Sequence, residues 1–296
     1  MTTDSSFGDL PGVHLTSEHG LAAVRVSTAN ATGLVYLQGA HVAAWQPAGQ
    51  EPVIWMSKQA VYAPGKALRG GVPICFPWFG GHAEHKEYPA HGFARTRGFA
   101  YRGARLDAQG RAELELTLDS DSETEAFFPF PFTARFRVAF GQTLGMEFEV
   151  LNRSSQAFTF EEALHSYFAV SDVKAAAVRG LQGARYLDKV RAMASFAEEA
   201  AELRITGETD RVYDSSATCQ IVDPGMKRSI RIEKSASAST VVWNPWAERA
   251  AQMADLGANA WPGMLCVESA NVGASKITLP AGAAHLLRVA VSLTPG

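Results

Sequence analysis

Apolar and polar residues alternate along several long stretches of this chain, and this alternation limits the possible folds more than any other feature of the sequence. It is clearest over residues 112–118, 132–140, 146–150 and 286–293. Because successive side chains of a β-strand point to opposite faces, each stretch predicts a strand with one buried face. Turn-forming residues separate the stretches at hairpin spacing, as over residues 141–145. Helical periodicity is restricted to residues 191–202 and 245–256, so the sequence predicts an all-β protein built as a large antiparallel β-sandwich.

Length and composition favour one soluble domain. The chain has 296 residues, 47% of them hydrophobic, and no low-complexity linker or convincing repeat divides it. We therefore expect a single domain over residues 1–296. The N-terminus carries acids and no apolar run, and no later segment approaches the roughly 18 apolar residues that span a membrane. These features predict a cytoplasmic protein without a membrane partner.

Charge and cysteine content narrow the possible partners further. A net charge of −3 gives no general attraction to nucleic acid, so we expect no nucleic-acid partner, and we expect a monomer. Cys75, Cys219 and Cys266 are far apart, odd in number and flanked by apolar residues, which favours reduced core thiols over a disulfide framework. Basic residues outnumber acids only locally, over residues 66–111, so an anionic partner would be bound there.

Two arginines in this basic region have unusual surroundings. Arg69 precedes Gly70, Gly71 and a run of apolar residues, and Arg95 closes the segment His91-Gly-Phe-Ala-Arg95. A guanidinium among apolar neighbours is costly to bury unless an anion meets it. The sequence leaves open whether that anion belongs to the protein or to a ligand.

A histidine emerges from an otherwise apolar stretch over residues 158–170. If this stretch is extended, Leu164 and Phe168 share one face, while His165 and Tyr167 point to the other. A histidine that faces a concave cleft can exchange a proton near neutral pH. A hydrogen-bonded structural histidine is an equally simple interpretation.

A glutamate occupies a comparable position near the C-terminus. Leu265 and Val267 share one strand face and leave Glu268 on the other, close to a turn. A carboxylate on so apolar a strand is either a buried structural group or a functional one. One carboxylate and one imidazole would form a minimal general acid/base pair.

The histidine-rich loop does not have the pattern of a metal site. His82, Glu84, His85, Glu87 and His91 lie in a glycine- and proline-containing loop, without the strand- or helix-borne spacing of known metal-binding motifs. The sequence also lacks a phosphate-cradling loop, a dinucleotide fingerprint and a nucleophile elbow. We therefore expect neither a metal nor another cofactor.

Six motifs, taken in order, resemble those of the hexose-6-phosphate mutarotases, also called glucose-6-phosphate 1-epimerases, of the aldose 1-epimerase family. The motifs are Arg69-Gly-Gly-Val-Pro-Ile-Cys-Phe-Pro-Trp-Phe-Gly80, His91-Gly-Phe-Ala-Arg95, Leu164-His165, Asp210-Arg-Val-Tyr213, Val242-Trp-Asn-Pro-Trp246 and Cys266-Val-Glu-Ser-Ala-Asn-Val272. The resemblance covers nearly the whole chain. It implies an all-β fold, the large antiparallel β-supersandwich of the galactose mutarotase type, with the sugar bound in a cleft on one curved sheet.

The resemblance also implies an isomerase that interconverts the α and β anomers of an aldohexose 6-phosphate. By this resemblance His165 is the catalytic acid, which protonates the ring oxygen O5, and Glu268 is the base, which removes the proton of O1. We expect the two groups on opposite sides of the sugar ring, roughly 5–9 Å apart, as paired groups flank a sugar in glycosidases. Ring opening and reclosure need no cofactor.

The remaining site residues follow from the same resemblance. Arg69 and Arg95 are implied to bind the substrate near its phosphate, and Asp210 and His91 to contact the sugar. Glycines after Arg69 would allow backbone N–H groups to approach the ligand. Lys86 is a weaker candidate for the phosphate.

Three alternatives stay open at this point. The protein could be a mutarotase of unphosphorylated hexose, or a carbohydrate-binding protein that has lost turnover. A glycoside hydrolase would need a second carboxylate opposite Glu268, for which Asp210 is the candidate. Trp78, Trp243 and Trp246 could stack on a sugar or pack in the core, and we leave them out of the predicted site.

Overall fold

Antiparallel strands account for most of the regular structure in the computed structural model, which describes residues 7–295. In the first half the strands are β1 (Val13–Glu18), β2 (Leu21–Ser27), β3 (Ala31–Tyr36), β4 (His41–Pro47), β5 (Ile74–Cys75), β6 (Ala100–Leu106), β7 (Ala112–Asp119), β8 (Phe132–Phe140), β9 (Leu144–Asn152), β10 (Phe158–Phe160), β11 (Glu162–Leu164) and β12 (Tyr167–Ala169). The later strands are β13 (Ala177–Arg179), β14 (Arg185–Asp188), β15 (Ala194–Ala197), β16 (Glu202–Arg204), β17 (Thr209–Asp214), β18 (Cys219–Asp223), β19 (Arg228–Ser235), β20 (Ser239–Asn244), β21 (Met264–Asn271), β22 (Ile277–Leu279) and β23 (Ala284–Pro295).

Helices are few and short within the described residues. The α-helices are α1 (Ser122–Glu125) and α2 (Trp246–Ala251), and single 3₁₀ turns cover Ala94–Thr96, Trp261–Gly263 and Gly273–Ser275. The helix expected within residues 245–256 is thus confirmed as α2. In residues 7–295 no helix is both long and apolar enough to cross a membrane.

The larger sheet contains the four strands that alternation predicts. Its order is β16-β13-β18-β19-β23-β9-β8-β7-β6, so β7, β8, β9 and β23 are neighbours. Their register brings Leu116, Phe136, Phe148 and Leu287 into one row of inward-facing side chains, each fully buried. Polar residues alternate with them on the outer face, as the sequence predicts.

The second large sheet positions the residues that could carry chemistry. Its order is β15-β14-β17-β20-β21-β11-β5, and β12 also pairs with β21. Leu164, Phe168, Leu265 and Val267 point from this sheet into the main hydrophobic core, which they share with Phe136 and its neighbours in the larger sheet. Because one face of these strands is taken up by the core, the alternate residues of β21 and β12 face away from it.

Two smaller sheets complete the fold in the part of the chain that the structure describes. The first has the order β1-β2-β3-β4, and the second pairs β10 with β22. Trp45 of β4 is fully buried and donates its indole N–H to the carbonyl of Gly141 at 3.0 Å. This bond attaches the four-stranded sheet to the turn between β8 and β9.

The helix predicted over residues 191–202 is wrong. Residues 194–197 form β15, an edge strand that pairs antiparallel with β14, and a tight turn at Ala192 and Met193, both with positive φ, precedes it. The alanine- and glutamate-rich sequence favours a helix locally, but pairing with β14 outweighs this weak preference. All three cysteines are free and buried, as expected.

Candidate active site

A cleft of about 640 Å³ opens on the face of the second large sheet that points away from the core. The cleft is lined by Arg69, Phe79, Ala90, His91, Arg95, His165, Lys189, Glu208, Asp210, Trp243, Glu248, Arg249, Gln252, Met253 and Glu268. All six residues that the sequence analysis singles out are therefore brought together, although they come from segments far apart in the chain.

His165, in the short break between β11 and β12, faces Glu268 on the adjoining strand β21. The register pairs Leu164 with Ser269 and Tyr167 with Cys266, which puts His165 opposite Glu268. His165 Nε2 lies 3.4 Å from Glu268 Oε1, and both side chains are buried. The expected separation of roughly 5–9 Å is therefore wrong for this structure, because neighbouring strands lie only about 4.8 Å apart and side chains on one face can touch.

Burial governs the protonation of this pair. It lowers the pKa of His165 well below its usual value, and the nearby His91, Arg95 and Arg69 act in the same direction. Burial raises the pKa of Glu268 well above its usual value, an effect that the positive charge of Lys189 opposes. Both groups are thus favoured in their neutral forms, with one proton on the carboxyl group.

Each member of the pair also has a buried polar atom without a hydrogen-bond partner. These atoms are Nδ1 of His165 and Oε2 of Glu268, within the residues that the structure describes. A buried polar atom left unsatisfied is costly in a protein interior, and such atoms cluster at functional sites. Because Glu268 lines the cleft, a ligand oxygen could form the hydrogen bond that Oε2 lacks, while Oε1 lies next to the imidazole.

Arg69 meets an anion that belongs to the protein. Its Nε donates to Oδ2 of Asp255 at 3.0 Å, and its Nη1 donates to the hydroxyl of Tyr167 at 3.0 Å. The substrate is therefore not the source of the anion that Arg69 meets in this structure, contrary to the expectation; Asp255 supplies it. The Arg69 side chain is still 23% exposed and lines the cleft, so a ligand can approach its remaining N–H groups.

The two glycines after Arg69 serve close packing. Gly70 has φ of +105°, and a Cβ there would lie 2.6 Å from Cα of Met56. A Cβ at Gly71 would collide with the imidazole of His41. The backbone N–H of Gly71 donates to the carbonyl of Trp55 at 2.7 Å. The N–H of Gly71 is therefore taken by the protein and neither glycine lines the cleft, so the expectation that these backbone groups approach the ligand is wrong.

Arg95 is the guanidinium that lacks an internal anion. Its Nη2 donates to the carbonyl of Ala90 at 2.6 Å, and its buried Nε has no hydrogen-bond partner among residues 7–295. Burial lowers the pKa of Arg95, yet an arginine stays protonated at any ordinary pH. A half-buried cation that faces a cleft and lacks an internal anion is suited to bind an anionic ligand.

His91 is held as a neutral hydrogen-bond donor. Its Nδ1 accepts the backbone N–H of Gly80 at 3.3 Å and contacts Sγ of Cys75 at 3.5 Å. Burial, aided by Arg95, lowers the pKa of His91 to about 3. The proton of the neutral ring is therefore on Nε2, which can donate to a sugar oxygen.

Asp210 forms an ion pair that the sequence analysis missed. Nζ of Lys189 lies 3.3 Å from Oδ1 of Asp210, and both side chains line the cleft. Burial raises the pKa of Asp210, and the charge of Lys189 opposes this shift. Lys189 follows β14 in a polar turn, where lysines are common, so no sequence signal distinguishes it from other surface lysines.

Lys86 and residues 82–87 of the histidine-rich loop lie outside the cleft, whereas His91 at the end of the loop lines it. Nζ of Lys86 donates to the carbonyls of His82 and Ala83, and the side chain does not line the cleft. Across the described range 7–295, no group of three or more His, Cys, Asp or Glu side chains could hold a metal ion. Of the three tryptophans set aside earlier, Trp243 lines the cleft.

Comparison with known proteins identifies the family. The model of the aldose 1-epimerase family matches residues 23–292. The chain belongs to the aldose 1-epimerase family. A candidate glucose-6-phosphate 1-epimerase of Escherichia coli K12 is 37% identical over 259 residues, which is 86% of this chain and 85% of the relative. Another, from Cenchrus ciliaris, is 33% identical over 275 residues, which is 90% of this chain and 82% of the relative.

Solved structures agree with this assignment. The crystal structure of YeaD from Salmonella typhimurium, a candidate mutarotase, has a TM-score of 0.90 at 29% identity and covers 98% of this chain and 97% of its own. A galactose mutarotase-like protein from Lactobacillus casei, at 18% identity, has a TM-score of 0.73 over 92% of this chain and 100% of its own, and so shares the fold. The predicted all-β fold of the galactose mutarotase type is confirmed, and the protein is an epimerase, hence an isomerase.

Proposed function

We propose that this epimerase interconverts the α and β anomers of glucose 6-phosphate. The observation that carries the proposal is the cleft itself, in which an adjoining carboxyl group and imidazole lie beside a half-buried arginine, Arg95, without an internal anion. The pair suits proton transfer at the anomeric centre, and Arg95 suits a phosphate. The names of the relatives from E. coli and C. ciliaris support the same substrate class.

The proposed reaction opens the pyranose ring and closes it again. Glu268, as carboxylate, takes the proton of O1, while His165, as imidazolium, gives a proton to O5. The bond between C1 and O5 breaks, and C1 becomes a free carbonyl that rotates about its bond to C2. Reclosure by the reverse proton transfers then yields either anomer, so no atom or electron is gained or lost.

An adjoining acid and base fit this chemistry better than a widely separated pair. O1 and O5 are both bonded to C1, so the two proton transfers occur at neighbouring atoms. With Nε2 of His165 3.4 Å from Oε1 of Glu268, the sugar would lie across the pair and not between its members. Uncatalysed anomers interconvert in water, so proton transfer and positioning need supply only several kcal/mol.

Substrate binding would prepare the pair for this step. In the ligand-free protein, burial favours the neutral pair, and the charges of Arg95 and Arg69 disfavour the imidazolium of His165. A phosphate dianion beside the arginines offsets those charges and favours the imidazolium. Proton transfer to and from the sugar then returns both groups to the neutral forms that burial favours.

The order of strands suggests how the substrate lies. Along the sheet, Asp210 of β17 comes first, then Glu268 of β21, then His165 beside β11. Arg95 follows beyond β5, because the preceding residues Gly92 to Ala94 pair with Phe76 at the end of that strand. In a hexose 6-phosphate, O5 leads from C1 through C5 to the phosphate on C6. With O1 at Glu268 and O5 at His165, the phosphate therefore extends toward Arg95.

The direct test couples anomer interconversion to a dehydrogenase that accepts one anomer of glucose 6-phosphate. We expect catalytic amounts of the protein to accelerate the interconversion, and Glu268→Gln to remove the acceleration. The absence of any acceleration by the unaltered protein would refute the proposed function.

A second candidate, a mutarotase of unphosphorylated hexose, is favoured by one observation. Arg69 is already paired with Asp255, which leaves Arg95 with less help in binding a phosphate. The same coupled assay with free glucose decides between the two. Equal or higher kcat/KM on free glucose would favour the second candidate.

A further inference from the structure

Lys189 is a charged side chain in the cleft that takes no part in the proposed proton transfers. Its Nζ lies 3.3 Å from Oδ1 of Asp210 and 4.9 Å from the ring centroid of Phe79. The side chains of Lys189 and Asp210 are 30% and 24% exposed, so the pair is open to the cleft and not sealed in the core. An ammonium group has three N–H donors, and Asp210 is the one carboxylate that contacts it within residues 7–295.

The backbone holds Lys189 firmly in this position. The N–H of Lys189 donates to the carbonyl of Asp210 at 2.8 Å. The buried carboxylate of Asp188 accepts the N–H of Val190 at 3.1 Å and that of Arg191 at 3.3 Å, which closes the turn. An anchored turn lowers the entropic cost of positioning a long side chain for recognition.

The pair lies beside the catalytic pair, on the side opposite the arginines. The register aligns Asp210 with Trp243 and Trp243 with Cys266, so Asp210 shares a face with Glu268, two residues further along β21. Lys189, Asp210 and Arg95 all act on the carboxyl group of Glu268, so the two ends are defined by the order of strands, with β17 on one side of β21 and β5 on the other. The cleft thus has an arginine end and a lysine–aspartate end, with the catalytic pair between them.

The bonds within the sugar ring determine which substrate groups lie at each end of the cleft. C1 is bonded to O5 on one side and to C2 on the other. When C1 lies over Glu268 and the C6 phosphate extends to the arginine end, the C2–C3 edge of the ring points the opposite way. This edge carries neighbouring hydroxyl groups, and each can donate one hydrogen bond and accept two.

We propose that Lys189, together with Asp210, binds the hydroxyl groups on the C2–C3 edge of the hexose, which makes Lys189 a specificity-determining residue. The ammonium donates to the hydroxyl oxygens and the carboxylate accepts their protons, so the ion pair satisfies both halves of a diol. This inference rests on the proposed function, since it uses the substrate orientation given there. A site built to bind a hydroxyl discriminates against analogues that lack it, because its own polar groups then stay unpaired.

The experiment compares one enzyme on three substrates. Exchange NMR between anomers gives kcat/KM for glucose 6-phosphate and for its 2-deoxy and 3-deoxy analogues. The ratio of two substrates on the same sample does not depend on how much of the protein is folded. We expect the unaltered protein to prefer glucose 6-phosphate over at least one analogue by about 10–100-fold, since the pair is partly exposed.

Lys189→Met is the test variant, and Lys86→Met is its matched control. Lys86 is an exposed lysine outside the cleft, bonded only to backbone carbonyls among the described residues. We expect Lys189→Met to lose most of the preference for glucose 6-phosphate over the deoxy analogues, because its kcat/KM on glucose 6-phosphate falls. The control Lys86→Met should keep the preference. Asp210→Asn should lose the same preference, which provides a second variant.

Several results would overturn the inference. An equal loss on all three substrates would assign Lys189 a general structural role. If Lys189→Met lowered kcat/KM on glucose 6-phosphate but not on free glucose, Lys189 would be a phosphate ligand. If the unaltered protein accelerates no anomer exchange, the proposed function fails; calorimetric binding of the three phosphates to the protein and to Lys189→Met then tests the hydroxyl contact separately, and equal affinities would overturn it.

Discussion

The two faces of β11 and β21 each bring a glutamate next to a histidine, with different results. On the cleft face, Glu268 lies 3.4 Å from His165. On the core face, Glu162 lies 2.8 Å from Nε2 of His285, and Asn271 donates to the same carboxylate oxygen at 2.8 Å. The core-face cluster joins the two large sheets, because His285 belongs to β23.

The surroundings of the two histidines explain the difference. Burial lowers the pKa of His285, but the hydrogen bond and charge of Glu162 outweigh this and raise it overall. His165 is buried and lies near His91, Arg95 and Arg69, and both effects lower its pKa. His285 is therefore favoured in its charged form, although burial also raises the pKa of its partner Glu162, whereas His165 is favoured in the neutral form and can exchange its proton with a ligand. We interpret the core-face pair as structural and the cleft-face pair as catalytic.

The largest expected effect comes from the same substitution on the two faces. Glu268→Gln should lower kcat on glucose 6-phosphate by about 10²–10⁴-fold, since it removes the general base. Glu162→Gln should leave kcat within a few-fold, because the side chain faces the core. Stopped-flow or exchange NMR rates on both variants measure this. Similar losses of kcat in the two variants would contradict the division between the faces.

His165→Ala extends this comparison to the other member of the catalytic pair. We expect a loss of kcat of the same order as in Glu268→Gln, with an unfolding midpoint close to that of the unaltered protein. The combined variant should be little worse than either single one, because the two groups act as a unit. Additive losses would show that they act in separate steps.

The two arginines should differ in a similar way. Arg95→Ala should raise KM for glucose 6-phosphate by about 10–100-fold and change KM for free glucose little, since it removes a charged hydrogen-bond donor to the phosphate. Arg69→Ala should impair both sugars, because it also releases Asp255 and Tyr167. Steady-state kinetics on the two sugars measures the difference. If Arg95→Ala impaired both sugars equally, phosphate recognition by Arg95 would be excluded.

The smallest expected effect is on stability. His285→Gln should lower the free energy of unfolding by about 1–3 kcal/mol near pH 6, because Glu162 loses a charged partner. The folded-state pKa of His285 is raised, so its stabilisation is complete below about pH 6.5 and is lost as pH rises through the folded value. Urea unfolding at pH 6 and pH 9 should therefore show a smaller difference at pH 9. A difference that is independent of pH would mean that the pair is not ionic.

Sequence alternation predicts which face a residue occupies, and the faces of β21 illustrate this. Leu265 and Val267 lie in the core and Glu268 in the cleft, as predicted. Alternation does not say which strands become neighbours. His165 and Glu268 are more than one hundred residues apart in the chain, and only the pairing of β11 and β12 with β21 brings them into contact.

Contacts between distant segments cannot be predicted from the sequence either. Arg69 and Asp255 are 186 residues apart, so the internal anion could not be read from the apolar sequence that surrounds the arginine. Lys189 lies in an unremarkable polar turn, and its position depends on the pairing of β14 with β17. The helix predicted over residues 191–202 is wrong for the same reason, because residues 194–197 pair with β14, which is a contact that the local sequence does not indicate.

The most direct test of the catalytic cleft is a crystal structure with 1,5-anhydroglucitol 6-phosphate, a substrate analogue that lacks O1 and cannot open. We expect its ring to lie across His165 and Glu268, with O5 within hydrogen-bond distance of His165 and the phosphate on Arg95. A ring bound away from this pair, or a phosphate bound at Lys189, would contradict the assignment of the acid, the base and the two ends of the cleft.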